Sequence, residues 1–302
     1  MTPKNATPSF LGLDFLVDKT GKVYFNEINS FPGFFIYHHE RLPELFDLIT
    51  GLVDHYGKDI VLIYSKKKFF QWTKQNLRFR RLSELTDGQA RMCIVEDPNN
   101  VASDLRDIFG QKVKHGVIFT SSISIKKQFQ KRRGFSVINS IELSEFVRDK
   151  WKVHEFFAKY APEICQPKTF LLSQKIAIGK SGLKRLVLKP RYGMGGEGVI
   201  FTTKGKLESV AKQKGIVRSQ YDQWIVQEVI VARRGLKAQE YYDVRSYLMN
   251  LHYVNAFMRT STSQVVGISQ GGCIRALPKK EKAPIEKASA LVADALKKYL
   301  VY

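Results

Sequence analysis

Asp14, Glu27 and Asn29 are the residues of this chain whose types and spacing point most directly to chemistry. They lie in LGLDFLVDKTGKVYFNEINSFPG, residues 11–33. The runs LDFLVD and KVYFNEI flank the turn from Asp18 to Gly21, which predicts two antiparallel strands. Side chains alternate faces along a strand, so Glu27 and Asn29 share a face that Asp14, on the preceding strand, can reach. Two carboxylates and an amide oxygen make a hard-oxygen set suited to Mg²⁺ shared with substrate phosphates. A surface hairpin with solvated acids would carry the same residues; the apolar neighbours Phe15, Val17, Phe25 and Ile28 weigh toward a purpose for the acids. His38 and His39 follow, a loop pair more often plain surface than metal ligands.

A second segment, LKPRYGMGGEGVIF (188–201), places Lys189 at the end of one strand. Gly193, Gly195, Gly196 and Gly198 crowd the turn, and another strand follows. Glycines let backbone N–H groups approach phosphate oxygens without Cβ obstruction, and the lysine supplies a point charge. The pattern is neither a P-loop nor a dinucleotide fingerprint, because no helix follows it. A flexible hairpin is the plainer alternative. A third segment, YDVRSYLMN then AFMRT, holds Asp243, Arg245 and Arg259. A guanidinium on a strand with apolar flanks wants an anion, either a ligand's phosphate or carboxylate or a structural carboxylate. No Ser–His–Asp or Cys–His constellation can be placed.

The elements that must position these residues are legible in outline. DIVLIYS (59–65), ARMCIVED (90–97), HGVIFTS (115–121) and FSVINS (135–140) have strand length and β-branched content, and the segments between them, such as NNVASDLRDIFGQ, read as helices. Such alternation predicts a small α/β domain with a parallel sheet. Residues 141–160 form one amphipathic helical stretch, 186–260 is strand-rich, and 284–300 is a helix with Pro284 at its start. The first 50 residues read as strand, turn, strand, loop, helix. The implied division is 1–50 for the metal hairpin and a helix, 51–148 for the α/β domain and 149–302 for the remainder.

The 302 residues carry 49 Lys+Arg against 28 Asp+Glu, a net charge of +21, and the pI is about 9.8. Such a field attracts polyanions, whether nucleic acid, anionic lipid, nucleotide phosphates or acidic peptides. Seven basic residues and no acidic ones lie in 65–81, and five more lie in 126–133. Three scattered cysteines exclude a disulfide scaffold and a cysteine-rich zinc site, and fit a reducing cytoplasm. No apolar run is long enough to predict a membrane span, and the first residues do not resemble a secretory signal.

Taken together, these segments resemble the ATP-grasp superfamily of carboxylate–amine ligases, which includes D-alanine–D-alanine ligase and bacterial glutathione synthetase. VINS (137–140) followed by Asp149-Lys150 is similar to the usual lead into that fold. LKPRYGMGGEGV resembles its phosphate-covering loop, and QWIVQEVI (223–230) its adenine-binding linker. The spacing of Asp14, Glu27 and Asn29, with Pro32-Gly33 after, resembles its metal motif. The resemblance implies an α+β ATP-grasp fold, two α+β subdomains clasping ATP, with a small α/β pre-ATP-grasp domain. In the family the metal motif comes last; here it comes first. The implied order is a circular permutation; a piece of a tandem protein, its hairpin completing a neighbour's site in trans, would give the same order. A further departure is VVGISQGGCIR, where Gly267 stands in place of a family asparagine ahead of Gly271-Gly272.

The resemblance implies a ligase that forms an amide or peptide bond through an acyl phosphate, releasing ADP and phosphate. Asp14, Glu27 and Asn29 would hold Mg²⁺, with Mn²⁺ as a substitute. Lys150 and Lys189 would bind phosphates, with the backbone of Gly193, Met194, Gly195, Gly196 and Gly198 closing over them. Gln227, Glu228, Val229 and Ile230 would receive adenine. Asp243 would take the ribose hydroxyls or support Arg245, and Arg245 and Arg259 would stabilise the transferring phosphoryl group. Substrates would be a small-molecule or peptide carboxylate and an amine, with an acidic protein or carrier as a larger variant. A homodimer is common among similar enzymes. The competing reading is a polyanion-binding or nucleic-acid-binding module with a degenerate nucleotide site. It is disfavoured by the intact set of Asp14, Glu27 and Asn29 and by both lysines, although Phe69, Phe70, Trp72 and Phe79 interleave with the first basic cluster.

Overall fold

A computed structural model describes residues 9–31, 43–66, 83–84, 86–193, 195–231, 240–266 and 272–301. Pro32, Gly33, His38, His39, Met194, Gly267, Gly271 and almost all of the 65–81 basic cluster lie outside the described residues. The chain divides into two compact units. One comprises Met1–Leu11, Ser30–Glu145 and Leu248–Val254, the other Gly12–Asn29, Phe146–Tyr247 and Asn255–Tyr302.

The chain opens on the expected hairpin, β1 (Phe10–Val17) and β2 (Val23–Asn29). Asp18 closes its turn, its Oδ1 accepting from the N–H groups of Thr20 and Lys22 at 2.8 and 3.0 Å. Helix α1 (Pro43–Tyr56) follows. The first unit is built on β3 (Ile60–Ser65), β4 (Ala90–Val95), β5 (Gly116–Phe119) and β6 (Phe135–Val137), with α2 (Ile123–Phe129). These strands form an all-parallel sheet in the order β4-β3-β5-β6, as the alternation of apolar runs implied. Val61, Ile63, Val95, Ile118, Ile125 and Phe129 are among the side chains of its core. Gly116 lets β5 approach β3 closely: with φ +143, a Cβ there would stand 2.7 Å from Val61 Cγ2.

One expected helix is absent. Residues 99–111 form turns. Short polar side chains there take the backbone hydrogen bonds a helix would need. Asp107 Oδ1 accepts from the N–H groups of Phe109 (3.0 Å) and Gln111 (2.9 Å), and Asp97 Oδ1 from that of Asn99 (2.8 Å).

The amphipathic stretch 141–160 is two helices, α3 (Ile141–Arg148) and α4 (Lys150–Tyr160). Asp149 divides them, with an extended backbone (φ −91, ψ 93) and a side chain that caps α4. The second unit continues through β7 (Thr169–Leu171), α5 (Lys175–Lys180), β8 (Arg185–Pro190), β9 (Ile200–Thr203), α6 (Leu207–Gln213) and β10 (Trp224–Glu228). These strands make an antiparallel sheet in the order β7-β10-β8-β9, packed on a core that includes Leu186, Leu188, Leu207 and Val226.

The last elements are β11 (Tyr241–Met249), β12 (His252–Ser261), β13 (Cys273–Ala276) and α7 (Lys279–Val301). Helix α7 begins five residues before Pro284, which therefore lies inside it rather than at its start. Its first turn is anchored by buried Glu281, which accepts from Tyr242 Oη at 2.9 Å. The amino-terminal hairpin joins these late strands in one sheet, β13-β12-β11-β1-β2. Among the described residues no helix is long and apolar enough to cross a membrane.

Candidate active site

The hairpin register sets Asp14 opposite Glu27 and Gly12 opposite Asn29. A bulge then shifts the pairing, so that Phe15 faces Phe25 and Asn26 is the extra residue. The bulge lets Phe25 and Ile28, three positions apart, both be buried, while Glu27 and Asn29 remain half-exposed. Asn29 Nδ2 donates to Asp14 Oδ2 at 3.1 Å and toward Glu27 Oε1 at 3.5 Å. The three expected metal residues are therefore neighbours. The amide N–H groups of Asn29 point at the two acids, which leaves its Oδ1, with the Glu27 carboxylate, as hard-oxygen donors of the kind Mg²⁺ takes.

Asp14 is 2% exposed and belongs to a buried ionic network. Arg245 Nε and Nη2 donate to its two oxygens, each at 2.7 Å. Arg259 Nη2 approaches Asp14 Oδ2 at 3.0 Å, and Arg259 Nε and Nη2 donate to Asp243 at 2.7 and 2.5 Å. Asp243 thus supports Arg259 rather than Arg245. Burial opposes ionisation of Asp14, but Arg245 and Arg259 outweigh it and hold the carboxyl well below the usual range. Burial raises the Asp243 carboxyl above the usual carboxylate range, against the pull of Arg259. The two arginines come from positions 245 and 259 because β11 and β12 are adjacent and β1 lies beside β11.

Lys189, next to last in β8, is 6% exposed, and its Nζ donates to Oδ1 of the bulged Asn26 at 3.3 Å. Burial pulls its ammonium down to about 8, with Glu27 opposing and Lys150 adding to the shift. Lys150 Nζ donates to the Gly193 carbonyl at 2.7 Å. The loop that starts there has positive φ at Gly193, Gly195, Gly196 and Gly198, a path that side chains would resist. At Gly198 a Cβ would also meet Pro190 Cγ at 2.8 Å.

Glu27, Lys150, Lys189 and Gln227 line one narrow cleft, about 10 Å³ of free space, walled by apolar Ile28, Val153 and Ile225. Gln227 Nε2 is held by Thr169 Oγ1 at 3.0 Å. The rest of the expected adenine linker turns toward the sheet. Glu228 Oε2 accepts from Lys168 N–H, and the N–H groups of Glu228 and Val229 donate to the Lys168 and Arg185 carbonyls at 2.8 and 3.3 Å. Glu228, Val229 and Ile230 do not line the cleft.

Sequence reasoning missed four residues here. Asn26 carries no motif; only a bulge, invisible to period-2 counting, turns it to Lys189. His154 and Gln166 also line the cleft, with His154 Nδ1 and Gln166 Oε1 3.1 Å apart. Burial, with Lys189 adding to it, lowers the His154 pKa against the Gln166 contact, which favours neutral imidazole. Arg191 hides within the glycine-rich segment, and its partner Asp149 was noticed only as part of a dipeptide. Away from the cleft, Lys126, one of the five basic residues of 126–133, is fully buried.

The fold these elements make is that of ATP-grasp ligases. The solved structures similar to it include the following three. A protein assigned as a gamma-glutamylcysteine synthetase from Methylobacillus flagellatus KT aligns at 14% identity and TM-score 0.54, over 98% of this chain and 90% of its own. A D-cycloserine synthetase aligns at 12% identity and TM-score 0.51, over 79% and 81%. D-alanyl-alanine synthetase A from Vibrio cholerae O1 biovar eltor aligns at 14% identity and TM-score 0.51, over 80% and 81%. No family model matches the chain, and no curated protein matches it.

Proposed function

We propose that this chain is an ATP- and Mg²⁺-dependent ligase that joins a carboxylate to an amine. ATP would phosphorylate the acid, the amine would attack the acyl phosphate, and ADP and phosphate would leave. The observation that carries this reading is the convergence of Glu27, Lys150 and Lys189 on one cleft, with the glycine-rich loop tied to Lys150 through Gly193. The solved ligases similar to this chain support it at the level of fold.

No side chain need act as a nucleophile, so the work is alignment and charge neutralisation. Lys189 and Lys150 would meet phosphate oxygens, Lys150 exchanging the Gly193 carbonyl for one. Glu27 and Asn29, with Asp14 behind them, would hold Mg²⁺, which supplies charge against the phosphates. Gln227 and the apolar wall would bind the nucleotide, with the Ile230 backbone offered to adenine. Asp14 and Asp243 orient the guanidinium planes of Arg245 and Arg259, which would face the charge that develops on the transferring phosphoryl group. The bonds that Asp243 accepts from Arg259 favour that orienting role over ribose binding.

The motif order is read as a circular permutation. Support comes from β1 lying beside β11 within one chain, so the hairpin meets the arginine strands in cis. Free Cys93, Cys165 and Cys273 suit a reducing cytoplasm. The test is ADP release against a panel of carboxylates and amines, with hydroxylamine added to trap the acyl phosphate. The reading expects ADP and a hydroxamate that both depend on one particular acid. Repeated absence of hydroxamate alongside turnover would assign another chemistry.

A further inference from the structure

Asp149 carries more hydrogen bonds than a helix cap requires. Its Oδ1 accepts from the N–H groups of Trp151 and Lys152, both at 3.2 Å, which is ordinary capping of α4. The same carboxylate takes a bidentate grip from Arg191, Nε to Oδ1 and Nη2 to Oδ2, both at 2.7 Å. Tyr192 Oη adds a bond to Oδ2 at 3.0 Å. Asp149 is 2% exposed, and Arg191 and Tyr192 are the two residues that lead into the glycine-rich loop.

The backbone around Arg191 is held as firmly as its side chain. Its N–H donates to the Gln223 carbonyl at 2.8 Å, and its own carbonyl accepts from Lys150 N–H at 3.2 Å. Its Nη1 reaches the Asp222 carbonyl at 3.3 Å. Two residues on, Gly193 offers its carbonyl to Lys150 Nζ. One carboxylate therefore fixes two things at once. It starts the helix whose first residue is Lys150, and it grips the stem of the loop that Lys150 contacts. An isolated stabilising pair has no reason to straddle a candidate phosphate-binding lysine and a candidate phosphate-binding loop.

We propose that the Asp149–Arg191 pair is a positioning device that sets the spacing between the Lys150 ammonium and the glycine-rich loop, and thereby the affinity for the polyphosphate of the nucleotide. This rests on the nucleotide reading of the cleft. Neither residue touches the nucleotide. Arg191 is not interchangeable with lysine, because only the planar fork forms two parallel bonds to one carboxylate.

Asp149→Asn separates the two duties, since asparagine caps a helix about as well as aspartate but cannot receive a charge-assisted fork. Steady-state KM for ATP and kcat, with calorimetric Kd for ADP in the absence of metal, are the readouts. The proposal expects D149N, R191Q and R191K each to raise KM and Kd about tenfold or more, with kcat changed less than about threefold. The double variant D149N/R191Q should be no worse than the weaker single one, since both remove the same pair. Unchanged KM and Kd in soluble R191Q, with only a lower thermal midpoint, would make the pair merely structural and overturn the proposal. Because Arg191 caps no helix, R191Q decides the matter even if D149N fails to fold. A wild-type chain that binds no nucleotide would instead overturn the functional reading beneath it.

Discussion

At the scale of single residues, the acids of the hairpin divide by environment. Glu27 is half-exposed in a cleft with two lysines, whereas Asp14 is buried, accepts two hydrogen bonds from Arg245 and is ion-paired with Arg259. Removing one partner of a buried pair strands the other charge, at a cost of about 3–5 kcal/mol. Asp14→Asn should therefore lower unfolding free energy by about that amount in a denaturant titration. Glu27→Gln should change stability by less than about 1 kcal/mol, the range of exposed polar changes, yet abolish most metal-dependent ADP formation. Equal destabilisation by both variants would contradict this division. Residue types and spacing were enough to single out Asp14, Glu27, Asn29, Lys189, Arg245 and Arg259. Which acid serves which arginine was not legible, because it depends on contacts across 231 residues of sequence. The adenine linker was placed by its motif alone; that the N–H groups of Glu228 and Val229 donate to the Lys168 and Arg185 carbonyls was not legible from it.

At the scale of elements, the hairpin is tied where its strands part. Asn139, with φ +58, accepts from Phe10 N–H at 2.9 Å and donates to the carbonyls of Phe10 and Ser30 at 2.7 and 2.6 Å. One side chain thus spans the start of β1 and Ser30, the residue that follows Asn29 in sequence. Each buried backbone group left unpaired costs about 1–3 kcal/mol. Asn139→Ala should accordingly raise the Mg²⁺ concentration for half-maximal turnover as well as lower the melting temperature. A lower melting temperature with unchanged Mg²⁺ dependence would reduce Asn139 to a structural role. Behind it, Lys126 Nζ donates to the carbonyls of Ile138 and Asn139 and to Ser144 Oγ, at 2.9, 2.8 and 2.7 Å. Burial brings its pKa down to about 7, from 10.5 in an unfolded chain. Between those values the unfolded state binds the proton that the folded state lacks, so this group makes stability rise with pH across that window. Denaturant midpoints should increase from pH 7 to pH 9 in the wild type and less so in Lys126→Met; equal slopes would refute the assignment. The strands of the first unit were plain in sequence because each is a continuous β-branched run. The missing helix at 99–111 and the break at Asp149 were not, because both turn on side-chain hydrogen bonds to the backbone that apolar periodicity does not register.

At the scale of the whole molecule, the +21 charge sets up a field that attracts anions. Long-range attraction is screened by salt, so kcat/KM for ATP should fall as ionic strength rises while kcat stays nearly constant. A kcat that falls in parallel would place the salt effect on a later step. The fold class was legible because four separated motifs agreed on it. The composition of the compact units was not, since each gathers three separate stretches of chain. The measurement that bears most directly on the central claim is calorimetric ADP binding, with and without Mg²⁺, for wild type, Glu27→Gln and Lys189→Ala. A single magnesium–nucleotide cleft predicts that Mg²⁺ tightens ADP binding to the wild type. It predicts that Glu27→Gln loses that enhancement while keeping metal-free binding, and that Lys189→Ala weakens both. A wild type indifferent to ADP, or a Glu27→Gln variant with the full Mg²⁺ enhancement, would contradict it.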